Sequence, residues 1–561
     1  MPYPSLEQYT EALQSPHIAI LEPELKRGTL KTTGLGLPLA LCGGFALTYT
    51  VEANGKKFAL RCFHKESREL EKRYAAIASK IKQLNSPYFL PFEFIREGIR
   101  IQGANYPIVK MAWAQGKTLA EFLENEHKNK GALQQLRGSL GKLADFIERN
   151  QIAHGDIQPE NLMVSGNGAT IQLIDYDGMF VDVLNGSKAT EYGQVNFQHP
   201  KRSGDHFNQH LDRFSFICLD IAIQSLIINP QLWSISNSEP SAILFRRNDY
   251  IDPGSSAIFN EVRKLPELKN QIENLAKIAS GNFGAIPSLS DFQQGKGISN
   301  VLISYGVKAT ASTHLYQGAY FVCDATNYQQ VLAQVGNRIE LIGRVHSIKP
   351  GWTQNRKRYV FINFSDWRGR AVKLAIWSDG LKDIGPNVPD DAWIGKWLSV
   401  TGLVDSPYDG QAGSVKYTHL SITINAKGQI QKLADGEARY RLGSAGQKQV
   451  MPIASSRNSD ILQNMGGTAK PSTTTAPQNT SHLASKPVPQ KSTNQQLLDN
   501  MRAKTPVVTQ PSAHQTVSNI PLKPKSSSPG NKQAPVPKNT SWGTWIFLGV
   551  IALLVFRGCT G

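Results

Sequence analysis

One short stretch constrains the fold of this 561-residue chain more than any other. The chain reads His-Gly-Asp-Ile-Gln-Pro-Glu-Asn over residues 154–161, and Asp-Tyr-Asp-Gly follows over residues 175–178. Phosphoryl transfer requires a carboxylate beside the attacking hydroxyl, together with an amide and a second carboxylate that hold Mg²⁺ on the phosphates. Asp156, Asn161 and Asp175 provide these three groups in the required order.

Further landmarks follow in an order that is typical of one family. Residues 171–174 (Ile-Gln-Leu-Ile) predict a strand that leads into Asp175. Residues 193–200 lie where kinases end the activation segment, and residues 212–228 predict a long apolar helix. Over residues 35–295 the chain therefore resembles a divergent bacterial branch of the protein kinase family.

The resemblance implies an α+β fold of the bilobal protein kinase type, with ATP and Mg²⁺ as cofactors. It assigns catalysis to Asp156, Asn161 and Asp175, and metal binding to Asn161 and Asp175. The Asp156 carboxylate would accept the proton of the acceptor hydroxyl. The nucleotide-binding residues that it implies, from the glycine-rich loop to the hinge beside the adenine, are Gly43, Gly44, Phe45, Ala59, Arg61, Met111, Ala112 and Ala114.

The chain departs from the kinase pattern at three places. Arg61 stands where kinases have a phosphate-pairing lysine, and its planar guanidinium is not equivalent to a compact ammonium group. Gln158 replaces a lysine of serine/threonine kinases, and no acidic residue occurs between Lys72 and Phe92, where the usual glutamate partner is expected. These departures leave open a catalytically weak pseudokinase.

A second, strand-rich block is predicted over residues 318–424. It resembles an oligonucleotide/oligosaccharide-binding (OB) barrel, which can bind single strands by stacking bases on aromatic side chains beside basic ones. Protein docking and a purely structural role for the aromatics are the alternatives. The predicted strands are Arg338–Ile348, Tyr359–Phe364, Ala371–Trp377, Trp397–Val404 and Thr418–Ile424, and the residues suited to stacking are Tyr359, Phe361, Trp367 and Trp377, with Arg356, Lys357, Arg358 and Arg370 nearby.

Composition separates the ends of the chain from these blocks. The five cysteines are scattered without metal-ligand spacing, which favours a reducing cytosol. The N-terminus lacks a signal-peptide pattern, and Ser5 to Gln8 instead predicts a helix capping box. The net charge is +17, of which residues 425–540 contribute +11 from fifteen Lys and Arg against four Asp and Glu. Because this segment is polar and rich in Pro, Ser and Thr, we expect a disordered linker.

The run from Trp542 to Phe556 is uncharged and apolar. Its fifteen residues rise about 22 Å as a helix, against roughly 30 Å for the hydrocarbon core, and the flanking residues extend its reach. We expect a single C-terminal transmembrane helix over residues 541–557, with the rest of the chain in the cytoplasm.

The interpretation from sequence is an ATP-dependent serine/threonine protein kinase, anchored to the membrane by its C-terminus. Protein substrates are the expected partners, and autophosphorylation of the linker is a further expectation. The alternatives are a pseudokinase scaffold that assembles partners at the membrane, and a membrane-tethered binder of single-stranded nucleic acid. The expected parts are an N-terminal extension (1–34), a kinase-like domain (35–295), an OB-like barrel (318–424), a disordered linker (425–540) and a transmembrane segment (541–557).

Overall fold

The computed structural model describes residues 3–34, 36–42, 46–65, 69–305, 315–353 and 355–447. These residues form three regions in chain order, an N-terminal lobe (residues 3–112), a C-terminal lobe (residues 113–305) and a strand-rich domain (residues 315–447).

The N-terminal lobe is built on one antiparallel sheet with the strand order β1-β3-β4-β6-β5, in which β2 also pairs with β3. Its helices are α1 (Leu6–Ala12), α2 (Pro16–Ala19), α3 (Pro23–Lys26) and α4 (Leu70–Leu84), and its strands are β1 (Thr29–Leu30), β2 (Ala40–Cys42), β3 (Ala46–Ala53), β4 (Lys56–Phe63), β5 (Phe92–Ile101) and β6 (Ala104–Ala112).

Local sequence explains the turns and the first helix of this lobe. Asn54 and Gly55 join β3 to β4 with positive φ angles of 52° and 70°, which is the backbone that a two-residue hairpin needs. Ser5 and Gln8 form the capping box predicted at the start of α1. The N-terminal extension packs on the sheet, because Leu6, Tyr9 and other apolar residues of α1 to α3 share a core with β3, β4, β5 and β6.

The C-terminal lobe is mainly helical and carries one small sheet of order β7-β8-β9. Helix α7 follows Asp212 as predicted and is buried on nearly every side, which explains its almost continuous apolar sequence. The elements are β7 (Lys117–Thr118), α5 (Leu119–Glu126), α6 (Lys130–Arg149), β8 (Leu162–Ser165), β9 (Thr170–Leu173), α7 (Arg213–Ile228), α8 (Leu232–Ile235), α9 (Arg247–Ile251), α10 (Ala257–Arg263), α11 (Lys269–Ser280) and α12 (Leu289–Gln293).

The strand-rich domain contains two sheets, with the orders β10-β11-β15-β18 and β12-β13-β14-β17-β16. Its elements are β10 (Phe321–Asp324), α13 (Tyr328–Leu332), β11 (Arg338–Arg344), β12 (Ser347–Trp352), β13 (Arg358–Asn363), β14 (Gly369–Ile376), α14 (Ser378–Ile384), β15 (Trp397–Leu403), β16 (Tyr408–Ala412), β17 (Val415–Ile424), β18 (Ile430–Leu433) and α15 (Asp435–Leu442).

The two sheets of this domain enclose one hydrophobic core. The chain passes from the first sheet to the second at Val345 and His346, whose N–H groups bond to Lys396 O and Asn363 O respectively. A bridge between Val404 and Ile422 joins the sheets on the other side. Regular structure continues past residue 424, where the disordered linker was expected to begin, through β18 and α15.

The fold class predicted from the sequence is wrong in its final element. The described chain is an α+β protein with several sheets, and none of its described helices is long and apolar enough to cross a membrane. Helix α6 has 20 residues but is charged, whereas α7 is apolar but has 16 residues, about 24 Å against a hydrocarbon core of roughly 30 Å. The predicted transmembrane segment (541–557) and the linker beyond residue 447 lie outside the described residues.

Candidate active site

A cavity of about 420 Å³ lies where the two lobes meet. Each element around it contributes side chains that the local fold directs to the same place. The lining residues include Ala59 and Arg61 from β4, Met111 to Ala114 at the end of β6, Asp156, Gln158, Glu160 and Asn161 from the loop before β8, Ile174 and Asp175 after β9, and Glu191 to Gln194 further along.

The loop that carries Asp156 is fixed by buried backbone bonds. The carboxylate of Asp212, directly before α7, accepts hydrogen bonds from the N–H groups of His154 at 2.6 Å and Gly155 at 2.8 Å. The His154 ring joins the backbone oxygen of Ile174 at 2.9 Å, so it links this loop to the segment that presents Asp175. Gly155 has φ +82°, and a Cβ atom there would lie 2.2 Å from the Gly178 oxygen, so this position requires glycine.

The carboxylate of Asp156 is held in one orientation by three donors. Its Oδ1 accepts the backbone N–H of Gln194 at 2.7 Å, and its Oδ2 accepts the side-chain amides of Gln158 and Asn161, both at 2.8 Å. Burial raises the pKa of Asp156 above its ordinary value, although these hydrogen bonds oppose the shift. A carboxylate with a raised pKa is a stronger general base, provided that the pH stays above that pKa.

Asn161 and Asp175 offer the oxygen ligands that Mg²⁺ prefers. Both recorded bonds of the Asn161 side chain are made by Nδ2, which leaves the amide oxygen for a cation. The Asp175 side chain is 35% exposed, and its backbone is held at φ 65°, an uncommon conformation for a residue other than glycine.

The donor set fits a magnesium ion that is shared with phosphates. Among the described residues, no group of three or more His, Cys, Asp or Glu side chains is arranged to hold a metal by itself. Mg²⁺ is usually bound through one or two carboxylates together with substrate phosphates, so an incomplete protein set is what this chemistry uses. Burial and the neighbouring carboxylates of Asp177 and Asp175 raise the pKa of Glu191 well above its ordinary value. This excess of acidic groups favours a bound cation.

Arg61 does not point freely toward a phosphate site. Its Nη1 binds Asp175 Oδ1 at 2.9 Å and its Nη2 binds Asp177 Oδ2 at 2.7 Å, while its side chain is 5% exposed. Asp177 also accepts a hydrogen bond from the Tyr74 hydroxyl on α4. Tyr74 and Asp177 therefore connect α4 to β4, in place of the glutamate that the sequence lacks. Glu71, the acidic residue in the first turn of α4, instead pairs with Arg96.

The end of β6 provides a place for a planar ring. The Ala112 N–H donates to Pro91 O at 3.2 Å and the Trp113 N–H donates to Lys57 O at 3.1 Å. No backbone hydrogen bond among the described residues uses the Ala114 N–H, which leaves it for a ligand. The apolar side chains nearby on the cavity wall are Leu41, Ala59, Leu90, Met111, Met163 and Ile174.

The structure thus brings together Asp156, Asn161, Asp175, Arg61 and most of the predicted nucleotide-binding residues. Ala59, Met111, Ala112 and Ala114 line the cavity, whereas Gly43, Gly44 and Phe45 lie outside the described residues. The sequence interpretation did not include Tyr74, Asp177, Glu160, Gln194, Tyr320 or Arg338. Asp177 stands in the same Asp-Tyr-Asp-Gly motif as Asp175, and this position was the one signal that could have revealed it.

Comparison with known proteins supports similarity to a kinase over part of the chain. The chain is 25% identical over 170 residues to the inhibitor of nuclear factor kappa-B kinase subunit beta of Mus musculus, which is 28% of this chain and 22% of that protein. The proteins of the same name from Bos taurus and Rattus norvegicus are 24% identical over the same length. The chain therefore spans about a fifth of the length of these curated relatives. No family model matches the chain.

Proposed function

We propose that the protein transfers the γ-phosphoryl group of ATP to a hydroxyl group, and that serine and threonine side chains of proteins are the acceptors. The observation that carries this proposal is the convergence of Asp156, Asn161 and Asp175 on one cavity between the two lobes. The similarity to a named kinase supports the same reaction class.

The chain's own groups divide the work as follows. Asp156, oriented by three hydrogen bonds, takes the proton of the acceptor hydroxyl. The oxygen of that hydroxyl then bonds to the γ phosphorus, and the bond from this phosphorus to the bridging oxygen of ADP breaks. Asn161 and Asp175 would hold Mg²⁺, which neutralises charge on the phosphates when bound. The apolar wall and the Ala114 N–H suit the adenine ring.

Gln158 supports a polar substrate beside Asp156. Its amide nitrogen donates to Asp156, and its Oε1 atom is buried and has no hydrogen-bond partner within the described part of the chain. A buried carbonyl oxygen without a donor is costly, so a donor from a substrate would be favourable there. A backbone N–H or side-chain donor of a protein substrate would fill this place, since the single proton of the acceptor hydroxyl goes to Asp156.

A second candidate function, a nucleotide-binding scaffold that transfers no phosphate, is favoured by the Arg61 pairs. Arg61 occupies the Asp175 carboxylate at 2.9 Å, so Mg²⁺ must compete with a buried guanidinium for its ligand. Competition of this kind lowers the affinity for the metal, and a weakly held metal slows transfer.

The test is to measure binding of Mg·ATP and transfer of labelled phosphate with full-length protein and with variants. Asp175→Asn should weaken Mg²⁺-dependent binding by at least about tenfold, because it removes a metal charge without changing the volume of the side chain. Asp156→Asn should keep nucleotide binding and lose transfer. Asp205→Asn, which makes the same chemical change at an exposed site, is the matched control.

Each outcome decides between the candidates. Wild-type protein that binds Mg·ATP and transfers phosphate supports the kinase proposal, provided that Asp156→Asn abolishes the transfer. Binding without transfer supports the scaffold. Equal nucleotide affinity in wild type and Asp175→Asn refutes the kinase proposal, because transfer requires Mg²⁺ at Asp175, and leaves only the scaffold.

A further inference from the structure

The strand-rich domain reaches into the cavity between the lobes. Five of its residues line that cavity together with the catalytic loop and the hinge, namely Ala319, Tyr320, Phe321, Asn337 and Arg338. The first three lead into β10, and the last two stand at the start of β11. Part of the cavity wall therefore comes from a segment more than a hundred residues beyond the catalytic loop.

The contact is centred on Glu160, which directly precedes Asn161 in the catalytic loop. Arg338 Nη2 lies 2.5 Å from Glu160 Oε1, and the Tyr320 hydroxyl donates to Glu160 Oε2 at 2.7 Å. The Arg338 guanidinium also lies over the Tyr320 ring, 4.7 Å from its centre. Both carboxylate oxygens of Glu160 therefore have a partner from the strand-rich domain.

The domain is fixed to both lobes around this contact. On the N-terminal lobe, Lys65 Nζ donates to Asn337 Oδ1 at 2.9 Å. On the C-terminal lobe, the buried Arg441 of α15 bridges Glu239 at 3.3 Å and Glu340 of the domain's own β11 at 2.8 Å. Because β11 carries Arg338 as well as Glu340, the same strand joins the buried anchor to the cavity wall.

The wall encloses the cavity without filling it. With the domain in place about 420 Å³ remains, within the roughly 300–1,000 Å³ that is usual for ligand sites. A wall that obstructed the site would leave no such volume.

We propose that the strand-rich domain is part of the nucleotide site, in which Tyr320 and Arg338 are positioning residues that hold Glu160 and complete the cavity for a magnesium nucleoside triphosphate. The proposal rests on the proposed function. It means that nucleotide binding and docking of the domain stabilise each other, since coupling between two binding equilibria is reciprocal.

The experiment measures the affinity of full-length protein for Mg·ATP by calorimetry in wild type and four variants. Arg338→Gln removes the charge that faces Glu160, and Tyr320→Phe removes only the hydroxyl; each should weaken binding about fivefold to tenfold. Arg338→Lys keeps the charge and should recover part of the loss. Lys427→Gln breaks another ion pair between this domain and the C-terminal lobe, to Glu124 at 2.9 Å, away from the cavity, and should leave the affinity unchanged.

Hydrogen exchange gives the reciprocal readout. Mg·ATP should slow exchange of the amides of residues 319–324 in wild type, and this protection should shrink in Arg338→Gln. That result supports the proposal if the affinity for Mg·ATP is also weakened in Arg338→Gln and Tyr320→Phe and is unchanged in Lys427→Gln.

Two results overturn it while leaving the proposed function intact. The first is an affinity for Mg·ATP in Arg338→Gln and Tyr320→Phe that equals or exceeds that of the wild-type protein. The second is a loss in Lys427→Gln equal to the loss in the other variants, since that would show general loosening of the boundary. Wild-type protein that fails to bind Mg·ATP at all would instead refute the proposed function, and this proposal with it.

Discussion

Two buried arginines, Arg61 in the cleft and Arg441 between the C-terminal lobe and the strand-rich domain, show one ionic arrangement in two settings. They are 4% and 1% exposed, respectively. Arg61 binds two carboxylates and Arg441 binds three. Each keeps one guanidinium nitrogen with no hydrogen-bond partner within the described residues, Nε in Arg61 and Nη2 in Arg441. In both places, removing the guanidinium would leave a buried carboxylate without an ion-pair partner among the described residues, Asp177 beside Arg61 and Glu340 beside Arg441.

The settings differ in access to solvent and ligand. The Arg61 cluster borders the cavity, and its Asp175 carboxylate is 35% exposed. None of the residues found on the cavity wall belongs to the Arg441 cluster, in which the Glu239 and Glu340 side chains are 9% and 6% exposed and that of Glu437 is 33% exposed. Asp175 can exchange its arginine for a cation that enters the cavity, whereas Glu239 and Glu340 are enclosed and away from the cavity wall. The first cluster is suited to a ligand site and the second to a fixed boundary between domains.

Replacing Arg441 with alanine should give the largest loss of stability. Two enclosed carboxylates, Glu239 and Glu340, would lose their shared partner, so we expect the free energy of unfolding to fall by about 5 kcal/mol. Chemical denaturation of the full chain measures this change. Arg439→Ala, two residues earlier on α15, is the control, because Arg439 forms an exposed pair with Asp435 and its loss should have no measurable effect. Similar losses in both variants would contradict the enclosed cluster.

Replacing Arg61 with alanine should cost less, about 3 kcal/mol, since one of its two partners reaches solvent. Arg61→Lys should lose less still, because it keeps the charge. The sharper expectation concerns Mg²⁺, which should restore part of the stability of Arg61→Ala, because the ion can replace the guanidinium at Asp175. It should restore none in Arg441→Ala. Equal responses of the two variants to Mg²⁺ would remove the distinction between the clusters.

Local sequence patterns predicted many of the elements that position the residues around the cavity. The loop that carries Asp156, the strand before Asp175 and helix α7 follow from short motifs whose neighbours in sequence are also neighbours in space. Five predicted strands of the strand-rich domain are present as well, although the first is divided into β11 and β12.

Sequence patterns could not predict ion pairs and hydrogen bonds between residues that are far apart in the chain. Residues 425–447 were interpreted as the start of a disordered linker because they are basic and polar, yet Arg441 is buried there. Its partners Glu239 and Glu340 are 202 and 101 residues away, so composition within a local window could not identify them. Tyr74 and Asp177, 103 residues apart, were missed for the same reason. From sequence alone, a charged residue such as Arg441 is assigned to the solvent-exposed surface, because its oppositely charged partners are known only from the fold.

Asp405 extends the comparison to a half-buried carboxylate that has no arginine. Its Oδ2 accepts hydrogen bonds from Ser421 at 3.1 Å and Thr423 at 3.0 Å, and no cation lies within ion-pair distance in the described part of the chain. Burial raises the pKa of Asp405 to about 6, against an ordinary value of roughly 3.9. Below pH 4 the carboxyl is protonated in both the folded and the unfolded chain. As the pH rises through 4 to 6, the unfolded chain releases the proton first, so stability falls.

Asp405→Asn should therefore change the free energy of unfolding less than Arg441→Ala or Arg61→Ala, and in the opposite direction. The amide oxygen can accept the same two hydroxyl bonds without carrying a charge, so the variant should be more stable than wild type by about 1–2 kcal/mol at pH 8, since the carboxylate is half-buried. Near pH 4 the difference should vanish. Unfolding free energies of both proteins between pH 4 and pH 8 measure this trend, and Asp409→Asn at an exposed site on β16 controls for the loss of one charge. A stabilisation of the same size at every pH would show that it does not come from removing the charge of Asp405.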